Sequence, residues 1–172
     1  MGGFVGMRLG ARHADLLRSL TLLDTSAGPE DPEKVSRYRL LAKVYRVVGM
    51  GPVRSQVLPI MFGPTFLADP GGRPAIDAFL TRLKQVDRKG MQRAIYGVAD
   101  RDAVTDLLPR ITTPTLVVVG ADDVATPVAK SHAIHEGIAG SRLEVVPDAG
   151  HSSTIEQPDT VSDLVEEFVD QH

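Results

Sequence analysis

The run TLVVV at 115–119 is apolar and β-branched, ends in the small-residue turn GADD, and is followed within a few residues by a helix start. Valines of this kind suit a pleated, covered surface. SLTLLDTSA at 19–27 is a second compact apolar run, closed by turn formers and Gly28-Pro29, the pattern of a strand with both faces covered. RLEVV at 142–146 is the third. Helical patterns separate all three. Strands alternating with helices predict a parallel sheet with right-handed crossovers. The fold class is therefore α/β, with about three parallel strands flanked by helices.

Residues 2–14 carry Phe4, Val5, Leu9 and His13 at helical spacing, with Arg8 and Arg12 on another side. Thr126 as N-cap and Pro127 at the first helical position start a helix over TPVAKSHAIHEGI. QPDTVSDLVEEFVDQ is a terminal amphipathic helix with Val161, Leu164, Val165, Phe168 and Val169 on its apolar side. Residues 28–110 differ in style. A long helix there places Val35, Leu40, Leu41, Val44, Val47 and Val48 on one stripe, and further helices come near 52–62, 74–86 and 87–99. No strand pattern occurs in this block. The division is thus 1–27 and 111–172 as α/β core, with 28–110 as a helical insertion.

Composition excludes several classes. The net charge of −3 gives no basic surface for nucleic acid or anionic lipid. The chain has no cysteine, which removes disulfides, zinc–thiolate sites and a cysteine nucleophile, and fits a cytoplasmic protein. No apolar run approaches the ~20 residues that cross a bilayer. His132, His135 and Glu136 are a metal-ligand spacing without a further ligand nearby, which fits an exposed helix face better than zinc. No metal and no organic cofactor is expected.

Two loops carry chemistry. GADD succeeds one strand and PDAGHSS another, both at the carboxyl ends of parallel strands, where open α/β sheets place ligand sites. An acid on one loop meets a histidine on the next across the strand ends. The carboxylate there would fix the imidazole tautomer and stabilise its protonated form. Ser152, Ser153 and Thr154 come directly after the histidine and read as caps of the turn rather than nucleophiles.

With these loops in view, PTLVVVGADDVATPVAKSHAIHEGIAGSRLEVVPDAGHSSTIEQPDTVSDLVEEFV resembles the C-terminal portion of the α/β-hydrolase superfamily. The shared pattern is strand, G-x-x-D, a TP helix start, strand, a G-H loop, E-x-P and a final helix. Matched residue by residue, Gly120 starts the acid turn, Asp123 falls on the catalytic acid and His151 on the catalytic base, with Asp122 as the alternative acid. MGGFVGMRLGARHADLLRSLTLLDTSA resembles the helix and strand C-terminal to the serine of the family's G-x-S-x-G elbow.

The resemblance covers nearly the whole chain and implies a truncated α/β-hydrolase fold. It sets the serine one position before Met1, gives Met1 the backbone N–H of the oxyanion hole, and makes 28–110 a cap over the site. Met61, Phe62 and Phe66, with Met50 and Phe79, would line a substrate pocket beneath that cap, or equally glue the cap helices together. The implied activity is that of a carboxylic-ester or related acyl hydrolase; the alternative is a non-catalytic protein binding a small apolar ligand. The strand at 19–26 is left with one unpaired edge, which predicts a two-fold homodimer through that edge.

Overall fold

The computed structural model describes all 172 residues. In chain order the elements are α1 (Gly2–Arg12), β1 (Leu20–Leu23), α2 (Pro32–Val48), α3 (Arg54–Met61), α4 (Pro64–Ala68), α5 (Arg73–Gln85), α6 (Arg88–Ala99), β2 (Thr115–Gly120), α7 (Val128–Gly137), β3 (Arg142–Val146), α8 (Ser153–Glu156) and α9 (Pro158–Asp170). The three strands form one parallel sheet in the order β1-β2-β3, with Leu22 opposite Val117 and Val118 opposite Glu144. No helix is long and apolar enough to cross a membrane.

Side chains alternate across the central strand and so feed two cores. Val117, with Leu20 and Leu22, meets Phe4 and Met7 of α1, Ile134 and Ile138 of α7, and Leu107, Leu108 and Ile111. Leu116 and Val118, with Val146, meet Val161 and Phe168 of α9 on the other face. The central strand is buried at all six positions, which is why its sequence is continuously apolar.

The glycines of α1 let it lie close on β1. A Cβ on Gly6 would stand 3.1 Å from the Leu20 side chain, and one on Gly10 would stand 3.3 Å from Ile111. The buried stripe is therefore Phe4, Met7 and Gly10, not the expected Phe4, Val5, Leu9 and His13. Val5 is 67% exposed.

Other expectations are corrected in the same way. In α2 the buried side chains are Ala42 and Tyr45, because the helix packs on α6 through that side. Leu40, Val47 and Val48 are exposed. Val169 of α9 is likewise exposed. α7 starts one residue later than expected, with Pro127 as its N-cap; the Thr126 hydroxyl is instead bonded to Asp123. Val104, Leu107 and Leu108, inside the helical block of 28–110, pack in the sheet core, while α2 to α6 form the rest of that block, the cap expected from the sequence.

The cap has its own small core of Phe62, Ile76 and Leu80, with Met50, Leu58, Met61, Phe66, Leu67 and Phe79 packed around it. Its two connections to the sheet are stapled together. The buried Glu30 carboxylate on the entering segment accepts from Arg101 on the leaving segment at 2.9 Å and lies 3.4 Å from Lys130 of α7. Arg101 also donates to Ser26 Oγ and the Gly28 carbonyl and lies over the Phe4 ring. Burial pushes the Glu30 carboxyl up, but the Asp31 amide and the two cations outweigh it and hold it below its ordinary value.

Candidate active site

Parallel strands end on one side of the sheet, and the turns after β1, β2 and β3 meet there. β2 ends at Gly120, where any side chain would strike the His-bearing loop: a Cβ there would stand 2.2 Å from the Gly150 carbonyl oxygen. The two loops are also sewn together by amides, Ala121 donating to Val146 and Asp122 to Ala149. The turn then closes with Asp123 N on the Gly120 carbonyl, and this turns the Asp123 side chain inward.

Asp123 is 3% exposed and accepts at both oxygens. Oδ1 takes the amides of Ala125 and Thr126, each at 2.8 Å. Oδ2 takes the Thr126 hydroxyl at 2.7 Å and faces His151 Nδ1 at 2.9 Å. Asp122, the alternative acid, is only half-buried and makes no such contact. His151 thus has its Nδ1 held, with the Thr126 hydroxyl 3.3 Å away, while the ring borders two open spaces that it shares with Met1.

The electrostatics result from this geometry. Burial alone would raise the Asp123 carboxyl, but the bond and charge of His151 and the Thr126 donors outweigh it and hold it below its ordinary value. Burial alone would lower the His151 imidazole. The Asp123 bond and charge, with the charge of Asp24, outweigh it and hold it above its ordinary value. A base whose protonated form is stabilised by an ionised, hydrogen-bonded acid is suited to taking a proton in one step and returning it in the next.

Asp24, at the end of β1, is marked by the sequence only as a turn former. It sits in the left-handed region at φ 43° and spans three strand ends. Oδ1 accepts Gly120 N at 3.0 Å; Oδ2 accepts the Ser153 amide and, at 2.5 Å, the Ser153 hydroxyl. Burial raises its carboxyl above the ordinary value, and the Asp123 charge adds to this against the Ser153 and Gly120 donors. Its position at a strand's carboxyl end is the same signal that marks Asp123. The bond also fixes the role of Ser153, whose hydroxyl is committed to Asp24 and not to His151.

Above the pair lies a cavity of about 690 Å³ between sheet and cap. Its wall is mostly apolar: Phe4 and Val5 of α1, Leu41 of α2, Val57, Ile60 and Met61 of α3, and Met91, Ile95 and Val98 of α6. Met61 lines it. Phe62 and Phe66 do not. They stack on each other with ring centroids 5.5 Å apart, Phe62 in the cap core and Phe66 packed against it. No sequence signal singles out the α1, α2 and α6 side chains of the wall. His132 and His135 gather no third ligating side chain.

Known proteins resemble this chain in sequence and fold. Residues 1–164 match the model of the alpha/beta hydrolase family. A 3-oxoadipate enol-lactonase of Acinetobacter baylyi is 30% identical over 167 residues, covering 96% of this chain and 60% of the lactonase. A thermophilic esterase from Thermogutta terrifontis superposes with a TM-score of 0.86 at 30% identity, over 99% of this chain and 62% of the esterase. The enol-lactonase of Burkholderia xenovorans gives 0.83 at 29% identity, over 98% and 62%. The chain spans about three fifths of the length of these relatives.

Proposed function

Because the chain belongs to the alpha/beta hydrolase family, we propose that it supplies the acid–base pair, cap and cavity of a hydrolase acting on a carboxylic ester or related acyl bond. The observation that carries this is the His151 Nδ1–Asp123 Oδ2 contact of 2.9 Å beneath the apolar cavity. His151 is the general base and Asp123 holds its Nδ1–H. Nε2 then takes the proton of the attacking hydroxyl as oxygen bonds to the acyl carbon, and returns it to the departing alkoxide. A water deprotonated in the same way releases the acyl group in the second half. Met1 lines the cavity beside His151, which supports its backbone N–H as an oxyanion donor.

No nucleophile is assigned within residues 1–172. Thr126 is the hydroxyl beside the ring, on the Nδ1 side, and it donates to Asp123. The resemblance assigns attack to the serine of the family's G-x-S-x-G elbow. The mostly apolar wall of the cavity favours a second reading, a binding protein that holds an apolar acyl ligand there without cleaving it. The relatives named as lactonase and esterase support the first.

Turnover of p-nitrophenyl acetate and butyrate, by the chain and by a form extended upstream in its own gene frame, tests the proposal. His151→Ala and Asp123→Asn are each expected to cut the turnover of any active form by about 10⁴. Turnover that survives His151→Ala undiminished refutes the role of the histidine. Absence of turnover in both forms, with saturable binding of the ester, supports the binding protein.

A further inference from the structure

The cap meets both loops of the acid–base pair through polar contacts, and the catalytic roles of Asp123 and His151 do not account for them. Lys34 lies in the first turn of α2. Its ammonium donates to the Val124 carbonyl at 2.7 Å and reaches the Ala125 carbonyl at 3.4 Å. The peptide unit that ends in the Val124 oxygen begins the Ala125 amide, and the unit of the Ala125 oxygen carries the Thr126 amide. Those are the two amides that hold Asp123 Oδ1 at 2.8 Å. Lys34 therefore sits at the oxygen end of both peptides whose N–H ends clasp the acid. A cation there polarises each peptide and strengthens its donor, as in any chain of aligned hydrogen bonds.

On the other loop the contact is a carboxylate. Glu156 of α8 is 6% exposed and takes one amide from each side: Gly63, between α3 and α4, at Oε2 and 2.7 Å, and Ser152 at Oε1 and 3.2 Å. Ser152 N belongs to the peptide of the His151 carbonyl. Around this carboxylate the two backbones touch with no side chain between them; a Cβ on Gly150 would stand 2.3 Å from Gly63 N.

We propose that Lys34 and Glu156 are positioning residues: cap docking, through these two contacts, sets the geometry in which Asp123 holds His151. The cap is then a working part of the acid–base pair and not only the roof of the cavity. This rests on the assignment of Asp123 and His151 as that pair, but not on turnover.

The test is solution NMR of the chain, with Lys34→Met, Lys34→Arg and Glu156→Gln. Methionine keeps the aliphatic stem and removes the donor, at a partly exposed position. The expected result for Lys34→Met is upfield movement of the Ala125 and Thr126 amide protons, with exchange of these amides about tenfold faster, the scale of one weakened hydrogen bond. The downfield Hδ1 resonance of protonated His151 moves toward that of an unbonded imidazole. Lys34→Arg restores all three. In Glu156→Gln one of the two amides loses its acceptor, and Gly63 or Ser152 exchanges faster together with the His151 Hδ1 shift.

Unchanged Ala125, Thr126 and His151 resonances in folded Lys34→Met overturn the proposal, whether or not Glu156→Gln folds. Shifted resonances in a chain without ester turnover uphold it while the hydrolase reading fails. Unshifted resonances with turnover intact do the reverse.

Discussion

Replacing Asp123 by asparagine tests the acid–base pair more sharply than deleting it, because the shape is kept and only the hydrogen-bond polarity changes. The carboxylate accepts four times: two amides at Oδ1, a hydroxyl and the imidazole at Oδ2. A carboxamide with its oxygen toward Ala125 and Thr126 keeps the amide bonds but places an NH2 group against Thr126 Oγ1 and His151 Nδ1. The hydroxyl can turn and accept. The imidazole can accept only by moving its proton to Nε2, the atom that must take a proton from the nucleophile. A buried Asp→Asn change of this kind costs about 10⁴ in turnover, equivalent to about 5.5 kcal/mol of transition-state stabilisation. Stability changes far less. Each charge-assisted bond that becomes neutral loses roughly 1 kcal/mol, and no longer burying a charge offsets part of that.

The pH dependence has a definite sign. The Asp123 carboxyl is held below its ordinary value, so its contribution to stability is present above the usual carboxylate range and lost as pH falls through the lowered value. His151 is held above its ordinary value, so its contribution is full below about pH 6.5 and lost as pH rises through the raised value. The pair is most stabilising in mildly acidic solution, where both groups are charged and the base is unavailable. Turnover in an active form rises only as pH passes the raised His151 value. In Asp123→Asn the acid limb of the profile moves down, and the acid-side gain in stability shrinks. Nitrogen-15 spectra of the imidazole read the tautomer directly, without need of turnover. A variant that keeps the proton on Nδ1, or an acid limb that does not move, refutes the reasoning.

Three other outcomes are expected. Gly150→Ala drives a methyl into the Gly63 backbone and costs about 1–3 kcal/mol of overpacking, seen as a lower melting temperature with faster hydrogen exchange in α3 and α4. Arg101→Met leaves the Glu30 carboxylate with only the more distant Lys130 as cation. The loss is about 2–3 kcal/mol, below the full cost of stranding a buried charge because one partner remains, and denaturant titration measures it. β1 pairs with β2 alone, so light scattering at micromolar concentration is expected to show a mass above that of one chain; a stable monomer refutes pairing through this edge.

That an acid on one loop would meet a histidine on the next was legible in the chain because it depends on local order, while the choice of Asp123 over Asp122 came from the resemblance; the two residues are in contact at 2.9 Å. A strand's last residues and the turn after it lie together whatever else happens, and parallel strands bring such turns to one side. The alternation of apolar runs and helices therefore determined the sheet, its direction and the side on which the site lies. It did not decide which faces turn inward. In α2 the stripe of Leu40, Val44, Val47 and Val48 is as periodic as any buried face, yet α6 covers Ala42 and Tyr45 instead. Phe62 and Phe66 have the same composition as a pocket wall, but cap packing uses them as its own core.

The contacts of Lys34 with Val124 and Ala125, of Asp24 with Ser153, and of Glu156 with Gly63 join positions 90 or more residues apart, with no periodicity to announce them. Periodicity is a property of one element and its rise per residue. The choice of partner is made by packing, where a buried carboxylate or amide must find its complement among whatever the fold brings near it, and only the tertiary structure contains that.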